Sequence, residues 1–86
     1  MGWRITEDLI NDEDSKVGLS VGEIGTKLVK FRLLDDDKNI YFYGFVDHED
    51  IFDSPEEYAF APLDWAMGNY GCTEMQYHKN GRWETL

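Results

Sequence analysis

The stretch KLVKFRLLDDDKNIYFYGFV, residues 27–46, decides the fold. Its first part places the apolar side chains of Val29, Phe31 and Leu33 at alternate positions, with basic residues between them, and this period of two predicts a half-buried strand. The run IYFYGFV is apolar or aromatic at almost every position, which predicts a strand covered on both faces or nearly so. Because a polar DDDKN segment separates the two strands, the sequence predicts a β-hairpin.

The chain before this hairpin is harder to interpret. Residues Trp3 to Thr6 are short, apolar and partly β-branched, and they predict an opening strand. Residues 7–26 contain a polar cluster at 11–15 and several glycines, and they predict a long loop with a helical turn at Glu7–Ile10.

After the hairpin and an acidic loop at 47–53, the sequence predicts one or two brief helical turns. Ser54 is a candidate N-cap, Pro55 would occupy the first helical position, and Glu57 completes a capping box. A proline at position 62 limits this helix to one or two turns, because the residue before a proline avoids the helical region. A second short turn is predicted up to Met67, with Gly68 as its stop.

The chain ends in a second predicted hairpin around Asn80-Gly81, a dipeptide typical of tight turns. Two geometries compete. A two-residue turn would place His78 opposite Trp83, whereas a three-residue turn with a bulge would place Tyr77 opposite Trp83. The three-residue turn is favoured, because it alone puts Met75, Tyr77 and Trp83 on one face.

These elements predict an α+β fold that is mostly β. The expected architecture is a small antiparallel sheet of four to five strands, including two hairpins, with one or two short helical turns on one face. The length of 86 residues fits a single small domain, 1–86.

Charge is the most unusual property of the sequence. Eighteen acidic residues against eight Lys and Arg give a net charge of −10 and a pI near 4.3. Such a balance argues against direct binding to nucleic acid or to an anionic membrane. Residues 35–64 hold ten acids and one lysine, a net charge of −9, so the imbalance is concentrated in the middle third of the chain.

Other sequence features restrict the cellular setting. The only cysteine is Cys72, which excludes an intramolecular disulfide. We find neither a signal peptide nor an apolar run of about 20 residues, the length needed to span a bilayer. The sequence therefore predicts a cytoplasmic protein, as a monomer or a homodimer.

Candidate chemistry is weak. The DxDxN motif that begins at Asp35 starts like a calcium loop but lacks its glycine and its final glutamate. The DHED segment at 47–50 groups four potential ligands without a rigid frame. A pair of Cys72 and His78 would lie too far apart along one strand for nucleophilic catalysis. We therefore expect no enzyme activity, no metal site and no cofactor.

Several segments resemble a family of short, uncharacterised bacterial and phage proteins. They are FRLLDDD (31–37), YFYG (41–44), APLD (61–64), GCTE (71–74) and NGRWETL (80–86). The chain departs from the family at 47–58, where its acidic loop is longer. No activity is established for that family, so the resemblance implies no catalytic residue and at most a phage or mobile-element setting.

The leading functional hypothesis is a non-catalytic acidic module that binds a basic protein surface. In its most specific form the protein is a phage or mobile-element inhibitor that mimics nucleic acid and blocks a defence protein, since carboxylates on adjacent strands and loops can imitate a phosphate backbone. The alternatives are a small structural protein that self-associates through a sheet edge or aromatic patch, with the charge serving solubility, and a metal-dependent protein. The predicted contact residues are Asp35, Asp36, Asp37, Tyr41, Tyr43, Asp47, Glu49, Asp50, Asp53, Glu56, Glu57, Tyr58 and Trp65.

Overall fold

A computed structural model describes residues 2–47 and 56–86, which form six strands and two helices. The elements in chain order are β1 Trp3–Asp8, β2 Ser20–Val21, β3 Leu28–Leu34, β4 Ile40–Asp47, α1 Glu56–Ala59, α2 Ala61–Tyr70, β5 Glu74–Lys79 and β6 Arg82–Thr85.

The described strands form one antiparallel sheet in the order β2-β1-β4-β3-β5-β6. The prediction of a small, mostly β, α+β fold is confirmed, but its strand count was too low. The additional strand, β2, has two residues that pair with Trp3 and Arg4. A strand this short has no alternation to detect, so the sequence placed it in a loop.

The β3–β4 hairpin at the centre of the sheet is confirmed. Lys30 pairs with Phe45 and Phe31 with Gly44, and a bulge shifts the register beyond Leu33. On β4 the side chains alternate between fully buried positions such as Phe42 and half-buried ones. One face of this strand is thus fully covered and the other only partly.

Helix α1 and helix α2 cover what we call the inner face of the sheet. Ala59, Leu63 and Ala66 from the helices are buried against the inward side chains of the strands. The Tyr77 hydroxyl donates a hydrogen bond of 2.6 Å to the carbonyl oxygen of Ala59, which ties β5 to the end of α1. The strand residues of this core are Trp3, Ile5, Phe31, Leu33, Phe42, Val46, Met75 and Tyr77.

Gly44 occupies the most crowded point of β4. A Cβ atom built there would lie 2.2 Å from the carbonyl oxygen of Arg4 and 2.6 Å from Cζ of Phe31. The Phe31 ring therefore lies directly over the glycine, in the space that a side chain would otherwise fill. This contact brings β1, β4 and β3 together at the centre of the core.

The prediction that the second helical turn stops at Gly68 was wrong. Helix α2 continues through Gly68 to Tyr70 and ends at Gly71, which adopts the left-handed conformation with φ of 77°. Its N–H group bonds to the carbonyl of Ala66, as in a typical glycine C-cap. Helix α1 is a single turn, within the predicted limit, but Ala61 is not excluded from a helix, because it begins α2 with Pro62 in the first turn. The predicted capping serine, Ser54, lies outside the described residues.

The favoured geometry of the last hairpin was also wrong. His78 pairs with Trp83 and Tyr77 with Glu84, so the turn contains only Asn80 and Gly81. Both turn residues have positive φ, 52° and 80°, as a type I′ turn requires. The error arose from the premise that Trp83 belongs to the core face. It lies on the other side of the sheet, on what we call the outer face.

The segment before β3 is a loop for most of its length, but no helical turn forms at Glu7–Ile10. Instead β1 continues to Asp8, whose carboxylate accepts hydrogen bonds from the backbone N–H groups of Ile10, Asn11 and Lys16 at 2.8–3.0 Å. The Asn11 side chain donates another at 3.0 Å. Side-chain hydrogen bonding thus replaces the predicted helical turn.

These bonds predict a pH dependence of stability. Burial opposes the ionisation of Asp8, but the four hydrogen bonds together lower its pKa below the ordinary 3.8. The stabilisation is therefore complete above that value and is lost as the pH falls through the lower pKa of the folded state. We expect Asp8→Asn to be less stable than the wild type at pH 7, with the difference narrowing towards pH 2. Urea denaturation across this range measures it.

The matched control is Asp12→Asn, since Asp12 lies in the same loop, is exposed, and makes no side-chain hydrogen bond to the described residues. Its unfolding curve should follow the wild type at every pH. A constant stability difference between Asp8→Asn and wild type from pH 7 to pH 2 would contradict the assignment.

Candidate functional site

The predicted contact residues do not form one surface in the described part of the chain. Asp35, Asp36 and Asp37 lie in the turn before β4, and Asp47 lies at the other end of this eight-residue strand. At about 3.4 Å per residue, the two acidic groups are separated by roughly 24 Å. Glu49, Asp50 and Asp53, also predicted as contact residues, lie outside the described residues.

Asp35 organises the turn through its side chain. Its carboxylate accepts hydrogen bonds from the backbone N–H groups of Asp37 and Asn39, each at 2.9 Å, and from the Asn39 side chain. The Asn39 N–H bond is the main cause that lowers the pKa of Asp35. Lys38 adopts a positive φ of 66° to close the turn. One of the three consecutive aspartates is therefore structural.

Asp36 and Asp37 are the exposed members of this turn. Lys38 is the only base within it, and its ammonium group binds Glu74 of β5. This ion pair is the first cause that lowers the pKa of Glu74. Among the described residues, neither Asp36 nor Asp37 forms an ion pair, so their charges are presented to solvent uncompensated.

The loop after β1 begins beside the same end of the sheet, because the N–H of Leu9 bonds to the carbonyl of Tyr41 near the start of β4. It carries three further acids, of which Asp14 pairs with Lys16 at 2.9 Å. Asp12 and Glu13 are exposed. We call this end of the sheet, with the Asp35–Asn39 turn and the adjacent loop, the turn end.

A cavity of about 350 Å³ opens beside the turn end. Its walls combine apolar side chains with carboxylates in a small volume. The apolar part comes from the α2 region, β5 and the end of the chain, and the carboxylates from the β3–β4 turn and from β5. The principal lining residues are Asp35, Asp36, Glu74, Phe60, Leu63 and Leu86.

The remaining predicted contact residues have different positions. Trp65 is half-buried in an aromatic cluster, with its ring centroid 5.6 Å from Trp3, 5.1 Å from Phe42 and 5.4 Å from Tyr70. It is a core residue. Tyr41 is also half-buried and packs against the core.

Tyr58, Glu57 and Tyr43 lie away from the core. Tyr58 on α1 is 49% exposed, and Glu57 beside it is also exposed. Tyr43 lies on the outer face, with its ring 6.0 Å from that of Trp83. Glu56 begins α1. Asp47 accepts a hydrogen bond of 2.5 Å from the N–H of Gly25, so it fastens the loop before β3.

The outer face of the sheet carries a group that the sequence did not identify. Across the strands, Arg4 pairs with Phe45 and Phe45 with Lys30, while Arg32 pairs with Tyr43. Directly paired residues point to the same side of a sheet, so cations and aromatic rings alternate there. We call Arg4, Lys30, Arg32, Tyr43, Phe45 and Trp83 the outer platform.

Arg32 is the most constrained side chain of the outer platform. Its Cζ atom lies 4.4 Å from the centre of the Trp83 ring, a cation–π contact. Its Nε atom donates a hydrogen bond of 2.6 Å to Oε1 of Gln76. Among the described residues, no hydrogen bond engages the two terminal nitrogens. The guanidinium is thus held by Trp83 and Gln76.

The structure separates the candidate nucleophile from its candidate base. Cys72 is fully buried in the core before β5, and this burial raises the pKa of its thiol to about 11. His78 is exposed near the other end of β5, 5.1 Å from the Trp83 ring. A buried neutral thiol is a poor nucleophile.

Within residues 2–47 and 56–86, we find no group of three His, Cys, Asp or Glu side chains arranged to hold a metal ion. The DHED segment lies mostly outside these residues. Neither described helix has the length and apolar composition needed to cross a bilayer.

The fold defines a small two-layer α+β module with an acidic turn end and a cationic, aromatic outer platform. No family model matches the sequence, and neither a curated protein nor a solved structure shows significant similarity to it. The resemblance to short bacterial and phage proteins therefore stays a prediction.

Proposed function

We propose that the protein is a non-catalytic module that binds a basic protein surface through its turn end. The observation that carries this proposal is that the cations at the turn end are paired, whereas two of its acids are not. Lys16 and Lys38 are both paired with acids of the module, whereas Asp36 and Asp37 have no cationic partner among the described residues. Uncompensated neighbouring carboxylates repel each other, and a cationic partner would relieve that repulsion.

The cavity beside the turn end supports a basic partner in particular. Lysine and arginine side chains have an apolar stem and a charged head. The apolar walls, such as Phe60 and Leu63, match the stem, and the carboxylate of Asp36 matches the head. A volume of about 350 Å³ is ample for one such side chain.

In its most specific form the partner is a defence protein whose nucleic-acid-binding surface is blocked. A cationic surface that tracks a phosphate backbone is complementary to closely spaced carboxylates. Asp36 and Asp37 with the acids of the adjacent loop would take the place of phosphates. Asp47 does not join this contact, because β4 separates it from the turn end.

The test replaces the two unpaired acids, Asp36 and Asp37, with lysines, which reverses the charge at both positions. We expect the immobilised wild-type protein to retain a basic, nucleic-acid-binding protein from a bacterial lysate at 50 mM salt and to release it at 500 mM. The double variant Asp36→Lys/Asp37→Lys should retain at least tenfold less, because rim charges act through screened long-range attraction. Quantitative mass spectrometry of the eluates measures both effects.

The matched control is Asp64→Lys, which changes the charge of an exposed residue in the first turn of α2. It should retain the same proteins as the wild type to within about twofold. Equal retention by the double variant, or capture that does not respond to salt, would refute the proposal.

A second candidate, a self-associating structural module, is favoured by the edge of the sheet. Strand β6 pairs with β5 on one side and with no described strand on the other. An unpaired edge is a template for strand addition. Light scattering separates this candidate from the first, since a dimer that persists at 500 mM salt supports it and a monomer at all concentrations excludes it.

A further inference from the structure

We propose that the outer edge of β2, together with a cavity beside it, binds an extended protein segment in which a large apolar residue is flanked by basic residues. The segment would add one strand to the sheet and place its apolar side chain in the cavity. This site lies at the opposite edge of the sheet from β6 and shares no residue with the turn end. The two proposals are therefore independent.

The cavity lies between the β1–β2 pair and the helices, and we call it the edge pocket. It has a volume of about 380 Å³ and is lined by Gly2, Trp3, Val21, Glu57, Tyr58 and Ala61. Trp3 and Val21 are directly paired, so both point to the inner face, where Tyr58 and Ala61 approach from the helices. Val21 and Tyr58 are 48% and 49% exposed. The pocket can therefore receive one large apolar side chain from outside.

The backbone of Ser20 faces the open edge of the sheet. The carbonyl of Leu19 accepts a hydrogen bond from the N–H of Ile5 in β1. Backbone groups alternate in direction along a strand, so the N–H and C=O groups of Ser20 point away from β1. Among the described residues, no strand pairs with β2 on that side. An edge of this kind accepts an added strand through main-chain hydrogen bonds.

The strand register would bring an added side chain to the edge pocket. The residue opposite Ser20 would point to the outer face, as Ser20 does, and its neighbours would point to the inner face on the same side as Val21. The side chain beside Val21 would thus enter the pocket next to Tyr58. Because β2 has only two residues, the main-chain hydrogen bonds would be few. The pocket would then supply the remaining affinity and the specificity.

The charge of the pocket favours basic residues beside the apolar one. Glu57 is the only charged residue in the lining, is exposed, and forms no ion pair with another described residue. The net charge of −10 also favours a cationic partner. In the added strand, residues two apart share a side and lie about 6.8 Å from each other. A lysine or arginine two residues from the apolar one would therefore meet the rim of the pocket.

A second copy of the chain fits this site less well. If β2 paired with β2 of another molecule around Ser20, the side chain beside Val21 would be Leu19 of that molecule. Leu19 is partly buried against its own core. The residues two positions from it are Val17 and Val21, neither of which is basic. A second copy would thus offer neither a free large side chain nor a cation.

The test titrates a defined peptide, acetyl-Lys-Thr-Phe-Thr-Lys-amide, into the isotope-labelled full chain at 50 mM salt. Its lysines lie two residues on either side of Phe, so either strand direction presents Phe and a lysine to the pocket. We expect saturable NMR shifts at Ser20, Val21 and the Trp3 indole, with a Kd below about 2 mM. The Ser20 amide should exchange with solvent several-fold more slowly in the complex, because its N–H gains a hydrogen bond.

Three altered peptides separate the contributions. The peptide with Ala in place of Phe should bind at least about tenfold more weakly, because the pocket stays unfilled. N-methylation of both Thr residues removes the donors that an added strand needs and should weaken binding about fivefold. Gln in place of both Lys residues should weaken binding about threefold at 50 mM salt and not at 500 mM, since an exposed ion pair is weak and screened.

Variants of the protein assign these effects to the edge pocket. Tyr58→Ala removes one wall and should weaken binding of the Phe peptide about fivefold. Met67→Ala truncates a side chain that is as exposed but does not line the pocket, and it should bind as the wild type does. Glu57→Gln should abolish the preference for the Lys peptide over the Gln peptide. Asp64→Asn, which changes an exposed acid outside the pocket, should retain that preference.

Four results would overturn the proposal. The first three are absence of saturable shifts at 10 mM peptide, equal affinity for the Phe and Ala peptides, and binding that leaves the exchange of the Ser20 amide unchanged. The fourth is a dimer in light scattering whose formation protects the Ser20 amide, because the edge of β2 would then bind a second copy. Circular dichroism of each variant checks that the fold is retained before affinities are compared.

Discussion

Gly44→Ala is expected to lower the unfolding free energy by about 3 kcal/mol or more, near the upper end of the cost of overpacking a core. The added methyl group would lie 2.2 Å from the carbonyl oxygen of Arg4 and 2.6 Å from Cζ of Phe31. The backbone oxygen belongs to a paired strand, so it cannot move without disturbing the β1–β4 ladder. The Phe31 ring would have to leave its place in the core.

For a domain of this size, such a loss corresponds to a fall in Tm of about 12 °C or more. Differential scanning calorimetry or thermal circular dichroism measures it. If the variant accumulates poorly, it can be refolded from urea, and its urea midpoint then gives the same comparison. A shift of less than about 4 °C would mean that Phe31 and β1 have room to adjust.

Gly68→Ala is the matched control, because it makes the same chemical change elsewhere. No atom lies within 4 Å of a Cβ built at Gly68, which is exposed within α2. Alanine is a better helix former than glycine by about 0.5–1 kcal/mol. We therefore expect this variant to be slightly more stable than the wild type, so the two substitutions should shift Tm in opposite directions.

Trp65→Ala is expected to cost about 3 kcal/mol of stability, although the sequence placed Trp65 at a partner interface. Its ring contacts those of Trp3, Phe42 and Tyr70. Truncation removes this packing between α2 and the inner face and leaves a cavity. Urea denaturation, followed by the remaining tryptophans and by circular dichroism, measures the change.

Tyr58→Ala provides the comparison, since Tyr58 was also predicted to contact a partner and is 49% exposed on α1. Its removal should change stability by less than about 0.5 kcal/mol, as is usual for an exposed position. A small effect of Trp65→Ala, equal to that of Tyr58→Ala, would contradict the core assignment and return Trp65 to the candidate contact residues.

The central hairpin was predictable because local pattern and tertiary environment agree there. Alternation at Val29, Phe31 and Leu33 reflects real burial on the inner face, and the polar turn lies where the side chain of Asp35 stabilises it. The end of α2 was not predictable in the same way. Two glycines were available, and the choice of Gly71 over Gly68 depends on where the chain must turn back towards β5.

The last hairpin shows how one assumption about burial changes a register. Trp83 was placed on the same face as Met75 and Tyr77, and this led to the longer turn. In the structure it is half-buried on the outer face by Arg32 and His78 rather than by the core. Local pattern cannot reveal this partner, because Arg32 is some fifty residues away in the chain.

The candidate sites also differ in how much of each could be predicted from the sequence. The free carboxylates of Asp36 and Asp37 were identified from composition, since a run of acids remains acidic wherever the chain places it. The internal role of Asp35 and the distance to Asp47 required the fold. Of the outer platform only Tyr43 was predicted as a contact residue, because the group combines residues of β1, β3, β4 and β6 that are adjacent only across the sheet.

The burial of Cys72 links the redox chemistry of the chain to its folding. The thiolate is the species that forms disulfides, and a buried thiol with a pKa near 11 supplies almost none at neutral pH. Two folded molecules therefore cannot be cross-linked through this cysteine, whereas two unfolded chains can. Under oxidising conditions, unfolded chains would form disulfide-linked dimers, whereas folded molecules would stay unmodified. Folding therefore protects the only thiol from oxidation.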